Sequence, residues 1–526
     1  MSPRPHLPYI PHRPHLLLGR ALLALPLFLA AACGGDPGPR HIVLISLDTT
    51  RADHLGCYGG APTPAIDSLA REGVRFSDVT APAPTTLASH TSMMTGSWPQ
   101  THGVARNGFP VHPANRMLAE VLSERGFHTA AFLGSFALES RFGFDQGFAH
   151  FDERFDILVS PQDGDQNQRR AGDVTDAVLE HLDGRGAGDG RGAGDGRGAG
   201  DGRGAVDERL FLFAHYFDAH APYAPPGEER PGTLLDLEQA VRVHQAPFLE
   251  TPPGLMGVIT GGLHPRLVRR AGGEPLGDDQ RLAELYAAEV AEVDSQIGRL
   301  LAGLAERGIL DEALVIVTGD HGETFWEHGD AWNHGLWVYQ TTVAIPLVMR
   351  FPQAARGPGG ELLSRGQSLD TPVSTVDLVP TLCELLDLPM PAGVEGVSLM
   401  GLMEGSSLAE RRLYSQATQP GARFEPEQGW ENLHKPRCVR AGRYKFVHAP
   451  YLELEQLFDL QDDPGERTNL IAGPNPKPEH RALARRLRVE LDRWVGAARP
   501  LASEMDVSQT REVMERLRAL GYAGDD

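Results

Sequence analysis

Cysteine is scarce in this chain, with four residues in 526. Cys33 closes an N-terminal apolar run. The other three, Cys57, Cys383 and Cys438, have neither the even count of a disulfide framework nor the close spacing of a zinc knuckle. Buried free thiols are the expectation for them. Positive charge is also in deficit: 49 Lys and Arg face 70 Asp and Glu, a formal net charge of −21. A surface of that sign excludes nucleic acid as the natural partner, because polyanion binding rests on Lys and Arg. The apolar run ALLALPLFLAAAC, from Ala21 to Cys33, is too short to span a bilayer as a helix.

That run is instead a targeting segment. Arg13 and Arg20 precede it, small residues lead into Cys33, and GGDPGPR follows as a tether. Residues 1–33 resemble a bacterial lipoprotein signal, with Cys33 as the lipidated residue and the cell envelope as the destination. An ordinary cleaved secretory signal is the alternative, and both export the protein.

From His41 onward strands and helices alternate. HIVLISLD is a continuous apolar strand ending in an acid, and RLFLFAHYFDAH and ALVIVTGDHGE repeat that design. TPAIDSLAREG reads as a helix with Thr63 as N-cap, Pro64 in the first turn and Gly73 as stop. VRFSDV and IPLVMRFP read as further strands. Leu282, Leu285, Tyr286, Val290, Val293, Ile297, Leu300, Leu301 and Leu304 fall at helical spacing along one long helix. The pattern predicts an α/β fold, a large mostly parallel or mixed sheet sandwiched by helices over residues 34–405. Residues 406–526 predict a smaller C-terminal α+β subdomain with an antiparallel sheet and terminal helices. The six-residue Gly-Arg-Gly-Ala-Gly-Asp repeat at 184–205 has no apolar side chain larger than Ala and reads as a flexible insertion.

Three clusters carry candidate chemistry, and in sheets of this kind ligands bind beyond the carboxyl ends of the strands. Asp48 and Thr49 follow the first strand; Asp320 and His321 follow another. Acids with an imidazole suit a borderline or hard divalent cation. APAPTTLASHTSMMTG places Thr86 at a helix N-terminus, either as N-cap or as a hydroxyl nucleophile activated by a metal. His90 follows one turn later. HYFDAHAPYAPP supplies His215 and His220, and EHGDAWNHG supplies His328 and His334, imidazoles fit to protonate a leaving group or contact a tetrahedral anion. Asn107, in HGVARNG, is a further candidate for holding the anion.

In chain order these motifs resemble the sulfatase branch of the alkaline-phosphatase superfamily, from His41 to about Leu470. The resemblance implies one divalent metal at least (Ca, Mn, Mg or Zn) at Asp48, Asp320 and His321, with Thr49 contributing. It also implies a covalent intermediate on the nucleophile and a substrate contact at His220. Two departures stand out. Where the family carries a Cys or Ser that becomes formylglycine, this chain has Thr86, followed by Ala88 for Pro and His90 for Arg; Thr cannot be oxidised to an aldehyde, so no formylglycine is expected. The family's Lys-x-His pair is replaced by Ser135 and Phe136. The expected function is metal-dependent hydrolysis of a small-molecule or glycan sulfuric ester, with Thr86, His90, His220 and His334 as catalytic residues and Asn107, His220 and His334 contacting substrate. Phosphodiester or phosphonate-ester hydrolysis at the same site is one alternative. A non-catalytic surface protein binding sulfated or phosphorylated glycans is another.

Overall fold

The structure, a computed structural model, describes residues 38–154, 168–186, 208–226, 277–353, 355–417 and 435–501, apart from positions 222, 224, 326, 330–333, 359, 361, 362 and 364. Its centre is an eight-stranded sheet built from β1 (His41–Leu47), β2 (Val74–Phe76), β4 (Phe127–Phe132), β5 (His150–Asp152), β6 (Arg209–Tyr216), β7 (Ala313–Gly319), β8 (Leu347–Arg350) and β9 (Gln367–Leu369). The order is β5-β4-β6-β1-β7-β8-β2-β9, and every pairing is parallel except the two that β8 makes. β3 (Val79–Thr80) pairs with β10 (Val373–Ser374) in a separate two-stranded sheet.

The continuous apolar strands are explained by burial of both faces. In β1, Ile42 and Leu44 enter one core while Val43, Ile45 and Leu47 enter the other. β7 divides in the same way, Leu314 and Ile316 against Val315 and Val317. On one face lie α1 (Pro64–Glu72), α3 (Ala171–Gly186) and α4 (Gly277–Glu306); on the other lies α2 (Thr86–Thr95). α1 has Thr63 as N-cap and Gly73 as C-cap, and it buries Ile66 and Leu69 as its spacing dictates. The Thr63 hydroxyl makes no cap bond, however; it donates to Asp67 Oδ1 at 2.9 Å. VRFSDV is broken into two strands, because Ser77 donates to Asp370 and Asp78 pairs with Arg440 instead of continuing a ladder.

β11 (Arg412–Gln416), β12 (Arg437–Ala441), β13 (Tyr444–Ala449) and β14 (Leu454–Asp459) form an antiparallel sheet in chain order. α5 (Pro478–Gly496) covers it with Leu487, Leu491 and Trp494. Trp98 and Val376 share that core, so the sheet is joined to the larger part by packing. Buried Lys445 reaches Glu466 at 2.8 Å, and Glu466 accepts the Gln340 N–H at 2.6 Å, a second tie across the same junction. Cys57, Cys383 and Cys438 are free thiols, the last two buried. α3 continues to Gly186, so the repeat at 184–205 begins inside a helix. Its remainder, residues 1–33 read as a targeting segment, the Gly- and Pro-rich stretch 246–275 and the tail 510–526 lie outside the described residues. Among the described residues no helix is long and apolar enough to cross a membrane.

Candidate active site

β1 and β7 are adjacent and in register, Leu47 beside Gly319, so the residues that follow them meet at one end of the sheet. Asp48, Asp320 and His321 each offer a ligand atom there, all within 4.8 Å of one another and all fully buried. Asp48 Oδ1, Asp320 Oδ2 and His321 Nε2 complete no hydrogen bond of ordinary geometry among the described residues, and neither does the Thr49 hydroxyl. Buried polar atoms without partners cost about 1–3 kcal/mol each, so the three that lie within 4.8 Å of one another describe a site suited to a group from outside the chain. A divalent cation matches that donor set.

Thr49 carries strain that serves this convergence. It is β-branched yet holds φ 49, in the left-handed region that such residues avoid. In that conformation its N–H donates to Asp320 Oδ1 at 3.2 Å and its carbonyl accepts the Tyr286 hydroxyl at 2.9 Å. The His321 N–H reaches the same Asp320 oxygen at 2.7 Å, leaving Oδ2 directed inward. Gly322 follows because a Cβ there would meet the Thr341 carbonyl at 2.2 Å.

Protonation follows from burial. Burial first, then the Asp48 charge, pushes Asp320 up to about 8. Burial pushes Asp48 well above the carboxylate range as well, while the Thr86 hydroxyl beside it works in the opposite direction. Burial depresses His321 to about 4 and His215 to about 3, and takes His90 well below its ordinary value. The site therefore presents neutral imidazoles and carboxyls that require a nearby cation to ionise.

Thr86 is the first residue of α2, and the N-cap is Thr85, which makes no side-chain cap bond. The capping role open to Thr86 is thus filled otherwise: Asn107 Oδ1 accepts the Leu87 N–H at 2.7 Å, leaving Asn107 Nδ2 buried and without a partner among the described residues. The Thr86 hydroxyl lies against the Asp48 carboxylate. His90 spends both nitrogens on positioning. Nδ1–H donates to the Thr86 carbonyl at 2.7 Å, and Nε2 accepts from the Ser46 hydroxyl at 2.7 Å. His90 fixes the backbone of Thr86 and is not the base for its hydroxyl.

Of the remaining histidines, His334 stacks at 4.5 Å from His321 and stands 5.0 Å from His220. His334 Nδ1 meets Glu323 Oε2 at 3.2 Å, and burial pushes that acid up to about 8. His220 stacks on Phe217 at 4.3 Å, and its Nδ1–H donates to the Ala221 carbonyl at 2.5 Å. Thr86, His90, His220, His334, Asn107, Asp48, Thr49, Asp320 and His321 thus gather around the ends of β1, β6 and β7. Two further residues join them: His215, which the sequence offered beside His220, and Glu323, which it did not single out. His215, level with Ser46 across β6 and β1, donates from Nε2 to Asp48 Oδ2 at 3.1 Å. Glu323 supplies the carboxylate of His334. Their motifs, HYFDAH and GDHGE, were the available signals.

The sulfatase family model matches residues 40–388, and the model for the C-terminal part of N-sulphoglucosamine sulphohydrolase matches residues 327–493. An uncharacterised sulfatase of Escherichia coli is 26% identical over 444 residues, covering 82% of this chain and 83% of its own. An N-acetylglucosamine-6-O-sulfatase of Bacteroides thetaiotaomicron is 22% identical, covering 82% of each chain. A phosphonate monoester hydrolase of Silicibacter pomeroyi shares the fold, with a TM-score of 0.59 at 22% identity over 87% of this chain and 96% of its own. With the family model spanning most of the chain and buried acids clustered with an imidazole at the ends of β1 and β7, the protein belongs to the sulfatase family of ester hydrolases.

Proposed function

We propose that the protein hydrolyses sulfuric esters by in-line attack of the Thr86 hydroxyl on sulfur. The observation that carries this reading is the position of Thr86 at the tip of α2, against Asp48 and beside three unsatisfied ligand groups. A divalent ion held by Asp48, Asp320, His321 and the Thr49 hydroxyl would supply charge stabilisation of the non-bridging oxygens and acidify Thr86. The Thr86 proton leaves through the Asp48 carboxylate as the Oγ–S bond forms and the S–O bond to the leaving group breaks. Asn107 Nδ2, buried with no other acceptor, donates to a sulfo oxygen. The Glu323–His334 pair holds one transferable proton across its hydrogen bond and delivers it to the departing oxygen. Water then attacks the sulfo-Thr86 intermediate and returns the hydroxyl; ester and water become alcohol and hydrogensulfate. No formylglycine takes part.

Metal-replete protein quenched during turnover of 4-nitrophenyl sulfate should carry a sulfo group on Thr86 by mass spectrometry. Absence of turnover on aryl sulfates, aryl phosphates and diesters, with bound Mn, Ca, Mg or Zn confirmed by metal analysis, refutes the reading. A hydroxyl nucleophile also favours a second reading, hydrolysis of phosphonate or phosphodiester substrates at the same site; the larger kcat/KM for matched phenyl esters decides between them. The same proposal places the protein in the bacterial cell envelope through residues 1–33, with lipid on Cys33. Radiolabelled palmitate incorporation that persists in Cys33→Ser would overturn that placement.

A further inference from the structure

Tyr286 lies on the apolar face of α4 and shares its core with Leu285, Val290, Val293 and Ile297, so its spacing alone reads as ordinary packing. The residue is fully buried, and its hydroxyl engages the backbone that follows β1. It donates to the Thr49 carbonyl at 2.9 Å and accepts the Arg51 N–H at 3.1 Å. The ring itself is fixed by aromatic neighbours: His54 stands 4.9 Å away at 88°, Phe325 4.7 Å at 67° and Tyr223 5.6 Å at 82°. One phenol, 235 residues from Arg51 along the chain, thus closes the turn that carries Thr49. The far end of the turn is pinned separately, by the Arg51 guanidinium on Asp53 and Glu327 at 2.7 Å each.

The near end is strained. At φ 49 the Thr49 Cβ crowds the following carbonyl, a cost that converts to about 5–30-fold in population against the extended region. The φ angle sets how a residue's own N–H and carbonyl are directed relative to each other. The left-handed value lets the Thr49 N–H reach Asp320 Oδ1 at 3.2 Å while its carbonyl meets Tyr286; an extended Thr49 cannot keep both. Asp320 Oδ1 accepts that N–H together with the His321 N–H at 2.7 Å, and the pair of bonds fixes the carboxylate plane. We infer that Tyr286 is a positioning residue for the metal site: its hydroxyl holds Thr49 in the left-handed conformation and so holds Asp320 within reach of Asp48 and His321. The inference rests on the reading of Asp48, Asp320 and His321 as divalent-metal ligands. It gives Tyr286 a part in the reaction without any contact with substrate.

Calorimetric titration of the full chain with Mn alone, at fixed pH, reads affinity apart from turnover. Tyr286→Phe keeps the ring and removes the hydroxyl. It should weaken Mn binding by about 5–30-fold, because only the left-handed fraction of Thr49 is then competent to bind. Glycine populates that region freely, so in a Thr49→Gly background the same substitution should cost about twofold or less. Val290→Ala removes packing from the same buried face of α4 and should lower Tm while leaving Mn affinity within about twofold. A merely structural tyrosine gives a different pattern: Val290→Ala weakens binding as much as Tyr286→Phe does, or Thr49→Gly brings no relief. Either result overturns the inference. So does a Tyr286→Phe affinity within about twofold of wild type, or a Tyr286→Phe chain that fails to fold in both backgrounds. Wild-type protein that binds none of Mn, Ca, Mg or Zn overturns the metal reading and this inference with it, whereas wild-type binding with an indifferent Tyr286→Phe overturns the inference alone.

Discussion

Metal binding should tighten steeply between pH 6.5 and 8, and the buried acids set how steeply. In metal-free protein Asp320 is pushed up to about 8, by burial first and then by Asp48, from an ordinary 3.8. A folded pKa raised in this way favours folding fully below 3.8 and loses that contribution as pH rises through about 8. In the folded protein the low-lying imidazoles His90, His215 and His321 are already neutral above pH 6.5 and release no proton to an incoming ion. What remains for an incoming divalent ion is to displace the proton on Asp320, and that on Asp48, whose carboxyl is raised in the same direction. Each displaced proton makes the dissociation constant about tenfold tighter per pH unit, so one proton predicts about a hundredfold between pH 6 and 8. Comparing bound with free protein cancels every group outside the site. Calorimetric titration of Mn or Zn in buffers of different ionisation enthalpy counts the protons directly, and about one to two should be released at pH 7. Affinity that is flat from pH 6 to 8 with no proton release would refute the geometry in which Asp48 and Asp320 converge.

Other outcomes follow from the same geometry. Thr86→Val keeps shape but removes the hydroxyl, and should lower kcat on aryl sulfates by about 10⁴-fold or more with metal affinity retained, whereas Thr86→Ser should keep measurable turnover. His334→Ala should slow alkyl sulfates by about 10²–10⁴ while sparing 4-nitrophenyl sulfate, whose leaving group needs no proton; equal losses on both would remove His334 from that role. Glu466→Ala leaves Lys445 buried without its carboxylate and should lower unfolding free energy by about 3–5 kcal/mol in urea titrations.

The central strands and their terminal acids were legible because a strand buried on both faces must be apolar throughout. The first polar residue after it, Asp48 or Asp320, then marks where the sheet opens. α1 was legible for a local reason, with Pro64 and Gly73 bounding nine residues. What local pattern did not reveal depends on register and on partners distant in sequence. His215 matters because β6 lies beside β1, and Asn107 caps α2 from 20 residues away. A change of texture near residue 405 suggested a separate subdomain, yet Trp98 and Val376 belong to its core. Their contribution rests on shape, which composition does not encode.

The pairing of Leu47 with Gly319 has a consequence for how this protein can diverge. Inserting one residue near the end of β1 or β7 would leave most of the sheet's hydrophobic interior intact and turn one acid away from the other. Such a chain would fold and yet lose the convergence of its acids. Loops beyond the strands can lengthen freely, but the last two positions of these strands admit no change in count.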